Sequence, residues 1–190
     1  LIGSPSGTWD GRHILLSLAP AGEAFFHVWR VPVGGGEPRQ LTRGPFHDFD
    51  PVELPDGRIA FSSTRIGSRE EYHANSARCL FTARPDGSDI RPLTTHIVGD
   101  NEPCVTADGL VAFIRCDNFL ERAKVETQLH AVHPDGTAGV VLLGADRYAV
   151  PYDRAAAAEG DSRWLRRHGY GSPAPLPDGR VACLSHDGPV

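Results

Sequence analysis

The sequence predicts an all-β fold made of repeated four-stranded units, and three observations predict it. The first is composition. The 190 residues include 21 Gly and 16 Pro, about a fifth of the chain, against roughly an eighth in average usage. Such breakers cost a helix interior about 1 to 3 kcal/mol each, which excludes a helical bundle. The glycines have no three-residue period, which excludes a collagen-like chain. The second observation is repetition. Four Asp-Gly pairs (Asp10-Gly11, Asp56-Gly57, Asp108-Gly109 and Asp178-Gly179) each follow a proline six residues before the glycine, at Pro5, Pro51, Pro103 and Pro173. The third is patterning: an apolar run follows each of these glycines, as in Leu110-Val111-Ala112-Phe113-Ile114.

The elements of one unit follow in order. The proline sets an extended entry and suits a strand start or edge. Asp-Gly favours a tight turn, because Gly takes positive φ without strain and Asp bonds the turn locally. The apolar run reads as a strand covered on both faces. Its columns agree across the copies: Ile14, Ala60, Ala112 and Ala182; then Leu15, Phe61, Phe113 and Cys183; then Ser17, Ser63, Arg115 and Ser185. A third strand precedes a second glycine anchor, at Val33-Gly34-Gly35, Pro85-Asp86-Gly87 and Pro134-Asp135-Gly136. Val28, Leu80 and Leu129 share one of its columns. A fourth strand closes the unit at Leu41-Thr42 and Leu93-Thr94, with Leu143 in the third copy.

The repeat lengths are 46, 52 and 70 residues, from Gly11 to Gly57 to Gly109 to Gly179. Four strands in about 40 to 50 residues is the arithmetic of a β-propeller blade. A β-sandwich is the competing fold, but it has no reason to repeat its columns. The units run approximately over 1–46, 47–98 and 99–148, with an insertion at 145–168 and a partial copy at 169–190. Three to four blades predict a partial ring. The absence of Met and the start at Leu1 predict an internal piece of a longer protein.

Asp50-Pro51 through Pro55-Asp56-Gly57-Arg58, then an apolar strand, Pro85-Asp86-Gly87-Ser88 and Leu93-Thr94, resembles the TolB-like β-propeller repeat. The resemblance covers nearly the whole chain apart from the stretch near 145–168. A narrower likeness lies between Phe113-Ile114-Arg115 and Pro134-Asp135-Gly136-Thr137, where a long polar insertion carries Glu121-Arg122 and ends in Gln128-Leu129-His130-Ala131-Val132. This is similar to the propeller middle domain of the hydrazine synthase alpha subunit. There the insertion opens with an aromatic and acidic pair after the arginine; here Cys116-Asp117 takes that place. That family's haem attachment lies outside the propeller, so the resemblance implies no cofactor within this segment. It also implies an extracytoplasmic location.

Four carboxylates are the candidate binding residues of the rim or channel. Asp48 and Asp100 sit three residues before their blade proline, and Asp50 and Glu102 sit one before it. Equivalent positions on adjacent blades face one rim, where they could hold a hard cation such as calcium or present an acidic funnel to a basic partner. The competing reading is that each carboxylate caps its own turn or pairs with an Arg of the next blade. Tyr170 and Ser172 stand at the equivalent places in the last unit. His47, His73, His96 and His168 fall near blade edges, without the H-x-x-x-H spacing of a helical metal site. Cys183 shares the column of Phe61 and Phe113, which predicts a small core residue, while Cys116 opens the polar insertion and is the thiol to test for reactivity.

Two polar stretches, 64–77 and 145–168, read as long loops that could carry binding. The second is Ala-rich from Arg154 to Glu159 and contains Trp164, so a short helix is expected near 154–167. Arg163, Trp164, Arg166 and Arg167 form a candidate partner patch for a protein or another domain of the same chain; the competing reading packs Trp164 onto its own blade. Net charge is -5 with no clustered basic face, so nucleic acid is not an expected partner. No apolar run approaches the roughly 20 residues of a membrane span. G-x-S-x-G, G-x-G-x-x-G, C-x-x-C and C-x-x-C-H do not occur. The reading is therefore a non-catalytic scaffold for protein or ligand binding. The alternatives are an accessory propeller of a hydrazine synthase alpha-like redox enzyme and, third, the propeller of a serine peptidase.

Overall fold

A computed structural model describes residues 1–70, 74–96, 98–119, 124–144 and 168–185. Blade 1 is β1 (Ile2–Gly7), β2 (His13–Leu18), β3 (His27–Pro32) and β4 (Arg39–Gln40). Blade 2 is β5 (Asp48–Glu53), β6 (Ile59–Ser63), β7 (Cys79–Ala83) and β8 (Arg91–Pro92). Blade 3 is β9 (Gly99–Val105), β10 (Val111–Phe119), β11 (Lys124–Val132) and β12 (Val140–Leu143). A fourth unit is described as the hairpin β13 (His168–Pro175) and β14 (Val181–Ser185). Within each blade consecutive strands pair antiparallel in sequence order. The predicted helix near 154–167 lies outside the described residues.

The Asp-Gly punctuation builds the first hairpin of every blade. Gly57 N–H donates to Leu54 O at 2.9 Å, and Asp56 Oδ1 accepts from Arg58 N–H at 2.9 Å. Gly57 sits at φ 83°, the left-handed position that closes such a turn. Gly109 and Gly179 repeat the turn, each donating to the carbonyl three residues back at 3.0 Å.

Blade 1 departs from the sequence columns by one residue. Its turn closes with Thr8 N–H donating to His13 O, where blade 2 closes with Leu54 N–H donating to Arg58 O. The extra residue slides β2, so Leu15 rather than Ile14 stands opposite Ser6, as Ala60 stands opposite Val52. Leu16 then corresponds to Phe61, and Ser17 to Ser62.

Blades join in the same way at three places. The start of each third strand bonds the first strand of the next blade. Asp48 N–H donates to Phe26 O at 2.8 Å, and Asp100 N–H donates to Arg78 O at 3.0 Å. At the third junction β11 runs parallel to β13, pairing Glu126 with His168 and Thr127 with Gly169. Behind these junctions lie the cores. Leu15, Val28 and Leu41 of blade 1 pack on Phe61, Cys79 and Phe81 of blade 2. Ala60, Leu80 and Leu93 pack on Val111, Phe113 and Val132. Ala112, Ile114 and Leu129 meet Tyr170 and Val181. Each large side chain so buried contributes about 1.5 to 3 kcal/mol, so these shared cores hold neighbouring blades together.

Two expected loops carry more backbone pairing than their polarity suggests. β10 continues to Phe119 and pairs with β11 as far as Lys124, so Cys116 sits in a ladder opposite Thr127 instead of opening a loop. Polar residues there do not interrupt the backbone pairing. In the 64–77 stretch, Ser63 Oγ accepts from Arg65 N–H at 3.1 Å and caps a 3-10 turn at Thr64–Ile66. An Arg69–Ser76 bridge follows. Cys183 is half-buried on β14 rather than fully enclosed.

Candidate functional site

The prolines that punctuate the sequence shape the inner wall of the arc. Ser4, Asp50, Glu102 and Ser172, each directly before its blade proline, take φ of 49°, 52°, 52° and 49°. Non-glycine residues rarely enter this region, at a cost of about 1 kcal/mol or more each. The ladder slips at the same places, between Gly3 and Ser6, Phe49 and Val52, and Gly171 and Ala174. Each innermost strand therefore carries a bulge, and a bulge re-aims a side chain out of the sheet.

The re-aimed side chains link neighbouring blades. Ser4 Oγ donates to Asp50 Oδ1. Asp50 Oδ2 accepts from Glu102 N–H at 3.3 Å, and Glu102 Oε2 accepts from Ser172 N–H at 2.6 Å. The strands β1, β5, β9 and β13 line an open cavity of about 770 Å³. Its wall is mostly apolar, from the blade prolines with Val52, Val105 and Ala174, and its charged residues are Asp50, Glu53 and Glu102. Trp9 stands at the wall, 67% exposed. Its indole Nε1 donates to Glu53 O at 3.0 Å, and its backbone N–H donates to Glu53 Oε2 at 2.7 Å. A second cavity of about 360 Å³ shares Asp50 and Glu102 and adds Arg78, Asn101 and Tyr170.

Asp48 and Asp100 do not line either cavity. Both are fully buried. Arg115 grips Asp100 with two prongs, Nε to Oδ1 at 2.7 Å and Nη2 to Oδ2 at 2.8 Å, while Thr94 Oγ1 donates to Oδ2 at 2.6 Å. Arg65 grips Asp48 at 3.1 and 2.7 Å, Ser63 Oγ donates to it at 2.6 Å, and His27 Nδ1 lies 3.3 Å away. In both cases the arginine comes from the same blade as the aspartate. Blade 2 has Ser63 in the column of Arg115, and the 3-10 turn delivers its guanidinium two residues later.

The histidines serve turns. His47 Nδ1 accepts from Phe26 N–H at 3.4 Å, and its ring stacks on Phe49. Burial holds His47 below the usual imidazole range. His96 Nδ1 accepts from Val98 N–H at 3.3 Å. His130, beside Arg115, is lowered to about 4, first by burial and then by that guanidinium. Burial pushes the Cys104 thiol up to about 11 and raises that of Cys79. Among the described residues no group of three or more His, Cys, Asp or Glu is gathered to hold a metal ion. No cysteine spacing fits covalent haem. His73, Arg163, Trp164, Arg166 and Arg167 lie outside the described residues.

Sequence reasoning did not single out Trp9, Glu53, Arg65 or Arg115. Two of them left a signal: Trp9 occupies the turn position held by Pro55 and Pro177 in other copies, and Arg115 stands in a column that is otherwise serine.

No family model matches the chain, and no curated protein matches it. Solved structures do. Kuenenia stuttgartiensis hydrazine synthase superposes with a TM-score of 0.68 at 15% identity, over 77% of this chain and 26% of that one. TolB from Acinetobacter baumannii gives 0.61 at 14% identity, over 97% and 41%. A protein named as TolB from Agrobacterium tumefaciens gives 0.60 at 18% identity, over 93% and 55%. The chain has a TolB-like β-propeller fold. It spans about a quarter of the matched hydrazine synthase chain and about half of the matched TolB chains.

Proposed function

We propose that this propeller is a non-catalytic scaffold that binds a protein or small ligand in the cavity between its innermost strands. One observation carries the reading: four bulged strands together shape a concave, mostly apolar wall into which polar groups converge, the form that binding sites take. No helix among the described residues is long and apolar enough to cross a membrane, and an extracytoplasmic location, with protein partners or other domains of the same chain, accords with the TolB resemblance. A peptide and metabolite screen by protein-observed NMR tests it. Shifts on β1, β5, β9 and β13 that vanish in Ala174→Trp, which fills the cavity, are the expected result. Hits that ignore Ala174→Trp, or a screen without hits, would overturn it.

The second reading is an accessory propeller of a hydrazine synthase alpha-like redox enzyme, which the TM-score of 0.68 favours. Cys-x-x-Cys-His pairs in the complete open reading frame would support it, and a frame without them would remove it. A serine-peptidase propeller stands third. A puromycin hydrolase matches at a TM-score of 0.54, and the reading needs a G-x-S-x-G sequence elsewhere in the frame.

A further inference from the structure

The charged residues that line the inner cavity are all acidic, and Arg78 lines only the adjoining cavity that Asp50 and Glu102 share. Asp50, Glu53 and Glu102 line the inner one, and no Lys, Arg or His does. Their hydrogen bonds come from Ser4 Oγ and from the backbone N–H groups of Trp9, Glu102 and Ser172, all uncharged donors. The chain treats its other inner-strand carboxylates differently, since Asp48 and Asp100 each hold an arginine. A concave wall of one sign focuses its field on the space it encloses.

Trp9 is an independent sign of an occupant. Two thirds of it is exposed at the same wall. It is not a loose surface ring, because Glu53 fixes both its indole and its backbone N–H. An exposed indole held at an acidic wall suits a cation, which gains from the ring quadrupole and the negative charge together.

We infer that the inner cavity binds an organic cation, an ammonium or guanidinium group, at the acidic wall of Asp50, Glu53 and Glu102, with the exposed Trp9 at its Glu53 end. This rests on the cavity being the binding site, as proposed above. The group arrives either as a small amine or guanidine or as a Lys or Arg side chain of a polypeptide. Recognition by charge and ring face needs no covalent step and no further group.

Calorimetry on the full chain tests it with two probes: N-acetyl-arginine amide, and a heptapeptide with one central Arg flanked by Gly and Ser. Citrulline replaces arginine in the control of each, keeping shape and removing charge. The charged probes should bind about tenfold or more tighter than the citrulline ones, a difference that shrinks with added salt. The double substitution Asp50→Asn with Glu102→Gln keeps an acceptor oxygen at each place, and circular dichroism checks that it folds. It should lose about tenfold in affinity, and Trp9→Ala about two- to fivefold. A heptapeptide that outbinds the blocked arginine assigns the polypeptide source; equal affinities assign the small cation. Equal binding of the citrulline probes, or full affinity in the double variant, would overturn the inference. A neutral or anionic compound displaced by Ala174→Trp would keep the binding reading and sink only the cationic one.

Discussion

Asp48 and Asp50 are two residues apart on one strand and occupy opposite surroundings. Asp48 is fully buried and held by Arg65 and Ser63. Asp50 faces the inner cavity, with a serine hydroxyl and a backbone N–H as donors. Asp100 and Glu102 repeat the contrast on β9. In a regular strand, residues i and i+2 share a face. The bulge at Asp50, with its positive φ, breaks that rule and turns one carboxylate toward open space. The same residue type thus becomes a structural fastening at one position and an available charge at the other. The backbone between them decides which.

The largest effects should come from breaking the fastening. Asp100→Ala removes the two-pronged contact that Asp100 makes with the Arg115 guanidinium, which is about three quarters buried. Removing one partner of such a pair costs about 3 to 5 kcal/mol, read as a lowered denaturant midpoint at unchanged slope. Replacing both partners, as Asp100→Leu with Arg115→Leu, should recover much of that loss, because the burial penalty of the charges goes with them. A cost below about 1 kcal/mol for Asp100→Ala would erase the contrast with Glu102.

A backbone fastening should rank next. Gly87 sits at φ 87° with the Leu41 carbonyl of the neighbouring blade so close that an added Cβ would lie 2.0 Å from its oxygen. Gly87→Ala must move one blade against another and should cost about 2 kcal/mol or more, whereas Gly11→Ala, at φ 67° with open space around it, should cost about 1 kcal/mol. Paired thermal melts measure the difference.

The repeat itself was legible because it is local. Asp-Gly with proline ahead of it specifies a turn within a few residues, and Asp56 and Gly57 make that turn as read. The one-residue slide in blade 1 was not legible, since the marker Asp10-Gly11 stays in place while the extra residue falls after it. Only pairing across the hairpin shows that Leu16, not Leu15, corresponds to Phe61. The split roles of the carboxylates escaped for a related reason. Their partners Arg65 and Arg115 sit in different columns and converge only through a 3-10 turn in one blade and a plain strand in the other. Asp50 and Glu102 were legible as a repeated position, yet their direction depends on a bulge that sequence spacing does not display.

His130 offers a pH handle on the buried pair, because it lies beside Arg115 and Asp100. Its pKa falls from 6.5 to about 4 on folding, so it is kept neutral in the fold. Between those values the unfolded chain binds the extra proton and the folded one does not. Stability should therefore decline as pH drops from 6.5 to about 4 and level off, for this group, below that. Allowing for partial solvent screening, the loss is about 1 to 2 kcal/mol. His130→Gln should flatten the slope in that window. The slope should not vanish, because burial lowers His47 in the same sense. An unchanged slope in His130→Gln would show that the imidazole does not sense the pair.

The smallest effect is the most discriminating. Asp50→Gly removes a carboxylate but also relieves a non-glycine residue at φ 52°. Relief of about 1 kcal/mol is set against the lost contacts of Ser4 and Glu102 and the greater freedom of glycine in the unfolded chain, so the net change should lie within about 1 kcal/mol of zero. Asp48→Gly, two residues away, gains no such relief and strips Arg65 and Ser63 of their acceptor. If the two variants melt together, the bulge does not separate a fastening from an available charge. If Asp50→Gly melts with the parent chain and Asp48→Gly does not, folding has no need of a carboxylate at Asp50.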